Sequence, residues 1–212
     1  MRKFWLAALL VVIALPVLTQ ASVINFGGTA LCGDTCAGNQ VPDGYGDPTF
    51  TYGGAWYAYG NVPYDSSYAN TYGAPSGAFA YNAFGDSPVT ISSSVPFTFN
   101  GVYASTWAEF NQFQSFSSTT LEIQGFSGAT LEGTVVANLS STSFDFISAN
   151  FGHTVTSLVF TNDCGTCSGR WFLIDGITYN QGGGTTPEPG TMITFGSGLL
   201  IAAGAIRRRF SR

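Results

Sequence analysis

The 212-residue sequence has few charged side chains, and basic ones are the scarcer kind. Charged residues make up 9% of the chain, against roughly a quarter in ordinary soluble proteins. Between residues 22 and 186, eleven acidic residues stand against a single arginine, Arg170, for a formal charge of −10. A surface so poor in cations cannot neutralise phosphate groups, so we expect neither nucleic acid nor an anionic membrane surface as a partner. This charge does not exclude sugars or metal ions as ligands.

Residues that commonly carry catalysis are also scarce. No lysine follows Lys3, and His153 is the single histidine, at a position typical of a loop or strand edge. Serine hydrolysis needs a base beside the nucleophile, and the sequence has neither a Gly-x-Ser-x-Gly motif nor a histidine pair for a catalytic metal. Carboxylates for glycoside hydrolysis are present, but they are scattered along alternating segments typical of a solvated sheet face. We therefore expect that the protein is not an enzyme.

Residues 1–21 have the three parts of a secretory signal peptide. Arg2 and Lys3 form the charged start, 4–18 the apolar stretch, and 19–21 a small-residue cleavage site before Ser22. The shortness of the apolar stretch and Pro16 within it favour cleavage over an uncleaved anchor helix. The sequence therefore predicts an exported chain.

The C-terminal end has a second targeting pattern. A polar linker, QGGGTT at 181–186, precedes a tail at 187–212 that contains an apolar run at 192–206. The tail begins with Pro187, Glu188, Pro189, Gly190 and Thr191, and its apolar run is followed by Arg207, Arg208 and Arg209. Fifteen helical residues span about 22 Å, less than the ~30 Å hydrocarbon core of a bilayer. The run predicts a short transmembrane helix with its arginines on the cytoplasmic side.

This order of Pro-Glu-Pro, Gly-containing apolar run and terminal arginines resembles the PEP-CTERM sorting tail of Gram-negative bacteria, over residues 187–210. The resemblance implies export by the Sec route and transient retention in the inner membrane through the tail. It further implies recognition by an exosortase-type membrane protease, processing near 187–189, and release to the cell surface or an extracellular matrix. A plain tail-anchored membrane protein is the alternative.

The four cysteines form two close pairs, Cys32 with Cys36 in CGDTC and Cys164 with Cys167 in CGTC. In an exported protein this pattern predicts two disulfides, and all three connectivities stay open. A four-cysteine zinc site is the alternative, because both spacings suit a metal. An oxidising compartment and the lack of nearby basic residues favour disulfides.

Between the two targeting segments, alternation of apolar and polar residues is the main structural signal. It predicts strands at 89–93, 96–106, 119–125, 131–138, 143–148, 155–161 and 171–179. The aromatic and glycine-rich segment 45–86 is expected to hold one or two strands and a long loop, and 107–116 hints at a short helix. Many short strands separated by turns predict an all-β domain over 22–180, an antiparallel, jelly-roll-like β-sandwich.

Two segments near the end of this domain, VTSLVF at 155–160 and WFLIDGITY at 171–179, resemble the last strands of jelly-roll sandwiches of the carbohydrate-binding-module type. In that family an acid in the final strand can help N-terminal loop residues to hold a structural calcium. The resemblance points to Asp175, with Asp34 as its companion. Gly176 departs from the pattern, since related sequences often carry a second Asp there. The alternative is that Asp175 faces solvent or caps a turn; no other cofactor is expected.

These observations favour a structural or adhesive protein of the cell surface or extracellular matrix. The alternative is a module that binds extracellular polysaccharide by stacking aromatic rings on sugar faces. The candidate stacking residues are Trp56, Tyr57, Tyr59, Trp107 and Trp171. An exposed group of these rings would favour sugar binding, and burial of the rings would favour a scaffold.

Overall fold

The structure is a computed structural model that describes residues 21–27, 31, 37–53, 56–61, 73–107, 116–165 and 170–181. The chain divides into two compact units, Met1–Gly182 and Gly183–Arg212, and every described residue belongs to the first. The predicted signal segment up to residue 20, the tail at 187–212 and most of the predicted helix at 107–116 lie outside the described residues. Within the described ranges, no helix is long and apolar enough to cross a membrane.

The described ranges contain eleven strands and one short 3-10 turn, Ala83–Gly85. The strands are β1 Ser22–Ile24, β2 Ala37–Gln40, β3 Phe50–Gly53, β4 Trp56–Gly60, β5 Ala78–Asn82, β6 Val89–Thr106, β7 Thr120–Ser127, β8 Thr130–Asn138, β9 Asp145–Ser148, β10 Val155–Asn162 and β11 Phe172–Gln181. Six of them, β6 to β11, lie in the part of the chain where alternation predicted seven strands, because β6 replaces two predicted ones.

The strands pair in the order β2-β4-β5-β11-β6-β10-β7-β8, with β1 beside β11 and with β3 and β9 beside β6. The pairings are antiparallel. The first part of β6 lies between β3 and β10, and its second part between β9 and β11. One strand thus takes part in two differently paired regions, which is how the sheet curves around a core. The predicted all-β, antiparallel class is confirmed, and the arrangement is consistent with a β-sandwich.

The predicted break between 89–93 and 96–106 is wrong, because β6 runs through Pro96 as one strand. The partner register shows why the chain tolerates a proline there. Phe97 pairs with Val155 and Ser92 with Ser157, so four residues of β6 oppose one residue of β10. Pro96 lies in this bulged stretch, where a missing backbone N–H does not interrupt the ladder.

Period-2 alternation gives the central strands two apolar faces. Phe172 and Ile174 of β11 belong to the main core, whereas Leu173 between them belongs to a second, smaller cluster. In β5, Ala78 and Ala80 face the main core and Phe79 faces the second cluster. Because β4, β5 and β11 are adjacent in the sheet, the side opposite the main core also carries apolar side chains.

Candidate functional site

The second cluster has a buried floor and a half-buried aromatic wall. Its floor consists of Ala74, Phe79, Phe144 and Leu173. Tyr59, Tyr81, Tyr103 and Trp107 pack against that floor and stay partly exposed. Soluble proteins normally cover such an apolar face with other elements, so partly exposed rings grouped here are a candidate binding surface.

Part of this wall surrounds a cavity of about 380 Å³, which we call the aromatic cleft. Tyr57, Tyr59, Tyr81, Trp107 and Trp171 line it, together with Gly38 and Ala83. All five rings are half-buried, so each offers part of its surface to the cleft. Volumes of this order are typical of sites for small organic ligands, which are concave and mostly apolar with a few polar groups.

Strand pairing explains how the tyrosines of the cleft come together. On β4, Trp56 and Ala58 point to the main core, so Tyr57 and Tyr59 point to the cleft. Tyr81 lies directly opposite Tyr57 on β5, and their ring centroids are 6.2 Å apart. Directly opposite residues in an antiparallel pair have their side chains on the same face. Two neighbouring strands therefore place three phenol rings on one side.

The two tryptophans come from strand ends that pairing brings together. Trp107 follows the last residue of β6, and Trp171 precedes the first residue of β11. Thr106 pairs with Phe172, so the residues just beyond this pair are neighbours. The Trp107 and Trp171 ring centroids are 6.0 Å apart. The aromatic cleft thus lies at the N-terminal end of β11.

The rings of the cleft are tilted against one another. Trp107 lies 5.0 Å from Tyr81 with an interplanar angle of 63°, and 5.9 Å from Tyr59 with an angle of 75°. The planes of Trp107 and Trp171 differ by 44°. Rings at such angles line a concave surface rather than a flat one.

The residues that line the cleft include no Asp, Glu, Lys, Arg or His among those the structure describes. Burial raises the pKa of Tyr81 to about 12, and the nearby hydroxyls of Tyr59 and Tyr57 add to that rise. Tyr81 is therefore protonated at any physiological pH, and a phenol can both donate and accept a hydrogen bond. Gly38 stands beside it, since a Cβ there would lie 3.6 Å from the Tyr81 hydroxyl oxygen.

Four of the five rings proposed from the sequence meet in the cleft: Tyr57, Tyr59, Trp107 and Trp171. Trp56 is a correction. It is 1% exposed, packs against Phe160 and Phe172, and donates its indole N–H to the Thr90 carbonyl oxygen at 2.9 Å. The period-2 alternation of β4 turns it away from its two tyrosine neighbours, so it cannot stack on a ligand.

Sequence reasoning missed Tyr81, Gly38 and Ala83 as lining residues. Tyr81 belongs to the same aromatic segment as Tyr57, and the pattern Phe79-Ala80-Tyr81 alternates as β4 does. That alternation was the signal that could have placed Tyr81 beside them. Gly38 lies on a four-residue strand without apolar alternation and offered no such signal.

Asp175, the predicted calcium ligand, is buried at 0% exposure and accepts hydrogen bonds on both carboxylate oxygens. Its Oδ1 accepts from the backbone N–H of Phe26 at 3.3 Å and of Gly176 at 2.8 Å, and from the Ser76 hydroxyl at 2.8 Å. Its Oδ2 accepts from the Ser76 N–H at 2.7 Å. Burial raises the pKa of Asp175, and these donors oppose the rise. The expectation that Asp175 faces solvent is wrong.

This carboxylate ties three parts of the chain together: β11, the segment that follows β1, at Phe26, and the loop before β5. Three donors face Oδ1 and one faces Oδ2, so hydrogen bonds within the chain account for its partners in the structure. Its proposed companion Asp34 lies outside the described residues. Among the described residues, no group of three or more His, Cys, Asp or Glu side chains could hold a metal ion.

Position 176 has a structural reason to be a glycine. Its φ is +60°, in the left-handed region, at a register shift between β11 and β6. A Cβ at this position would lie 3.1 Å from Cδ2 of Tyr103. An aspartate would therefore be strained at position 176.

Cys164 is the one cysteine among the described residues, and its thiol is not free. Cys32, Cys36 and Cys167 lie outside the described ranges. The two predicted disulfides and their connectivity therefore remain a prediction.

Comparison with known families gives one match. Residues 185–209 match the PEP-CTERM protein-sorting motif, which confirms the resemblance drawn from the tail. The motif marks a chain that is exported, anchored in the membrane before cleavage, and sorted to the cell surface via an exosortase. No curated protein matches the chain. The motif covers the tail alone, so the function of the body has to be inferred from its own geometry.

Proposed function

We propose that the protein is a non-catalytic adhesive protein of the cell surface whose β-sandwich body holds extracellular polysaccharide in the aromatic cleft. The proposal joins the two hypotheses drawn from the sequence, since attachment to a matrix can itself be sugar binding. Support for the surface location comes from the sorting motif at 185–209. Support for the binding role comes from the cleft.

The observation that carries the proposal is the convergence of five half-buried rings around one cavity of about 380 Å³. Aromatic faces offer a large apolar surface, which suits the C–H face of a pyranose ring. The phenol hydroxyls of Tyr57, Tyr59 and Tyr81 offer both donors and acceptors to sugar hydroxyls. Trp56, on the same strand as Tyr57 and Tyr59, is by contrast turned inward at 1% exposure.

The targeting segments fit a protein that works outside the cell. Removal of residues 1–21 would leave Ser22, the first residue of β1, as the new N-terminus. Processing of the tail near 187–189 would leave a short linker after Gln181, the last residue of β11. In an oxidising compartment we expect the four cysteines to form two disulfides.

The test is a glycan array probed with the full chain, solubilised in detergent because of its apolar tail. We expect saturable binding to at least one polysaccharide class, with and without calcium, and loss of that binding in Trp171→Ala. Phe126→Ala is the matched control, because Phe126 is half-buried on β7, on the far side of the sheet order from β4 and β5. A folded protein that leaves the whole array blank would refute sugar binding and favour a structural protein whose partner is another protein.

A further inference from the structure

We propose that the ligand of the aromatic cleft is a single chain of uncharged glycan, and neither an acidic polysaccharide nor the flat face of a crystalline polymer. This inference rests on the proposed function and names the class of sugar that the cleft accepts. Three observations support it: the charge of the sequence 22–186, the angles between the described rings of the cleft, and the phenol groups that line it.

The charge of the body disfavours acidic sugars. Residues 22–186 carry a formal charge of −10, and the described residues that line the cleft have no charged side chain. The body's one arginine, Arg170, lies next to Trp171, but its Nε is 3.9 Å from Asp163 Oδ1 and its guanidinium donates to the Ser117 carbonyl oxygen. The carboxylate of a uronate would be repelled by the negative body, and no cation among the described cleft residues would pair with it. Both effects oppose binding of an acidic sugar.

The ring angles disfavour a flat surface. A crystalline polymer presents many parallel chains in one plane, so its binding surface needs rings that are exposed and coplanar. In the cleft, Trp107 is inclined by 63° to Tyr81, by 75° to Tyr59 and by 44° to Trp171. Rings set at these angles around a concavity can contact different sides of one chain, but they cannot lie together on one plane.

The phenols favour a ligand rich in hydroxyl groups. Tyr57 and Tyr81 lie opposite one another with their ring centroids 6.2 Å apart, and Tyr59 lies on the same face of β4, so three phenol groups line one side of the cleft. Burial raises the pKa of Tyr81 to about 12. Neutral phenols both donate and accept, as sugar hydroxyls do, so the two sets can satisfy one another inside a partly dry cleft. A carboxylate only accepts and would lose its hydration there.

The experiment measures binding of the detergent-solubilised full chain to three classes of probe. Affinity gel electrophoresis uses soluble neutral polysaccharides (xyloglucan, dextran, hydroxyethylcellulose) and soluble acidic ones (polygalacturonate, alginate); a pull-down uses microcrystalline cellulose. We expect retardation by at least one neutral polymer, at least tenfold weaker retention by the acidic ones (about 1.4 kcal/mol), and no enrichment on the crystalline solid. Binding to the neutral polymer should not change when salt is raised or calcium is removed, because no ion pair forms.

Variants connect this selectivity to the cleft. Trp107→Ala is expected to weaken binding of the neutral polymer by about tenfold or more, as is typical when a central aromatic contact is removed. Tyr81→Phe keeps the ring and removes one hydroxyl, so a smaller loss is expected, and Phe126→Ala should bind like the parent.

Each contrary outcome points to a different error. Tighter, salt-sensitive or calcium-dependent binding of an acidic polymer would refute the preference for an uncharged glycan but would still support sugar binding. Enrichment on crystalline cellulose would refute the inference that the cleft binds a single glycan chain. If no glycan of any class binds a folded protein, the proposed function itself fails and this inference fails with it.

Discussion

Replacing Asp175 with alanine would remove the acceptor that joins the last strand to the N-terminal segment and to the loop before β5. The carboxylate accepts from the backbone N–H groups of Phe26, Ser76 and Gly176 and from the Ser76 hydroxyl, at 2.7 to 3.3 Å. In the variant the three backbone N–H groups lose this acceptor, whereas the Ser76 hydroxyl keeps the Ala78 carbonyl oxygen at 3.1 Å. The carboxylate's space becomes a small cavity. The hydrogen bonds to Phe26 and Gly176 are fully buried, so water cannot replace the lost acceptor there.

The expected loss follows from those donors. A buried donor left without a partner costs about 1–3 kcal/mol, and two are fully buried, with the Ser76 amide half-buried. Together they predict a loss of roughly 3–5 kcal/mol, the range found when one partner of a buried charged group is removed. Asp175→Asn keeps an acceptor for the Oδ1 donors but turns an amide N–H₂ toward the Ser76 N–H. Its loss should be smaller, at about 1–3 kcal/mol.

Urea unfolding followed by tryptophan fluorescence measures these losses. With a slope of about 2 kcal/mol per molar urea, Asp175→Ala should lower the midpoint by roughly 2 M, and the exposed-acid control Asp86→Ala should change it little. An alanine variant as stable as the parent would refute the claim that this carboxylate holds the three segments together. Stabilisation of the parent, but not of the variant, by calcium would show instead that Asp175 is a metal ligand.

Three further predictions concern the backbone, the phenols and the tail. Gly176→Ala should lower the free energy of unfolding by about 1–2 kcal/mol, because φ is +60° and Tyr103 is 3.1 Å from the added Cβ; an unchanged urea midpoint would contradict this. Stability should fall as pH rises from about 10 toward 12, because the pKa of Tyr81 is about 12 in the folded chain and about 10 in the unfolded chain. Tyr81→Phe should weaken that pH dependence of stability, and an identical pH profile in the variant would contradict this. Ending the chain after Thr186 should convert a membrane-retained protein into a freely exported one, and identical fractionation of both forms would count against sorting by the tail.

Alternation of apolar and polar residues predicts β7 well. In β7, Leu121 and Ile123 are buried and alternate with the half-buried Glu122 and Gln124. By contrast, β2 has the sequence AGNQ, with no alternation, and forms because it pairs with β4. Strand formation by pairing depends on the partner more than on local propensity, so a single sequence does not reveal it.

The sequence around Asp175 contains a signal for its burial. It lies in the run FLIDGITY, which is apolar on both sides of the acid, and runs of this kind are typical of strands covered on both faces. β11 is such a strand, because β6 and β5 flank it and the main core and the second cluster cover its two faces. An acid at its centre therefore had to be buried with donors around it.

The composition of the cleft could be predicted only in part. Alternation shows that Tyr57 and Tyr59 share a face, but not which face is the core, and so Trp56 was grouped with them. Trp107 and Trp171 meet because Thr106 pairs with Phe172, a contact between distant parts of the chain. Such long-range pairing is set by the whole sheet, and no local pattern around either tryptophan encodes it.

The most direct test of the central claim is a two-dimensional NMR titration of the indole N–H signals of the full chain with a soluble neutral glycan that binds it, each signal assigned with a Trp→Phe variant. Trp107 and Trp171 line the cleft, whereas Trp56 is buried with its indole N–H bonded to Thr90. The account predicts that the Trp107 and Trp171 signals shift with saturation while the Trp56 signal stays in place. Glycan binding that leaves both cleft signals unmoved would show that the sugar binds elsewhere and would contradict the account.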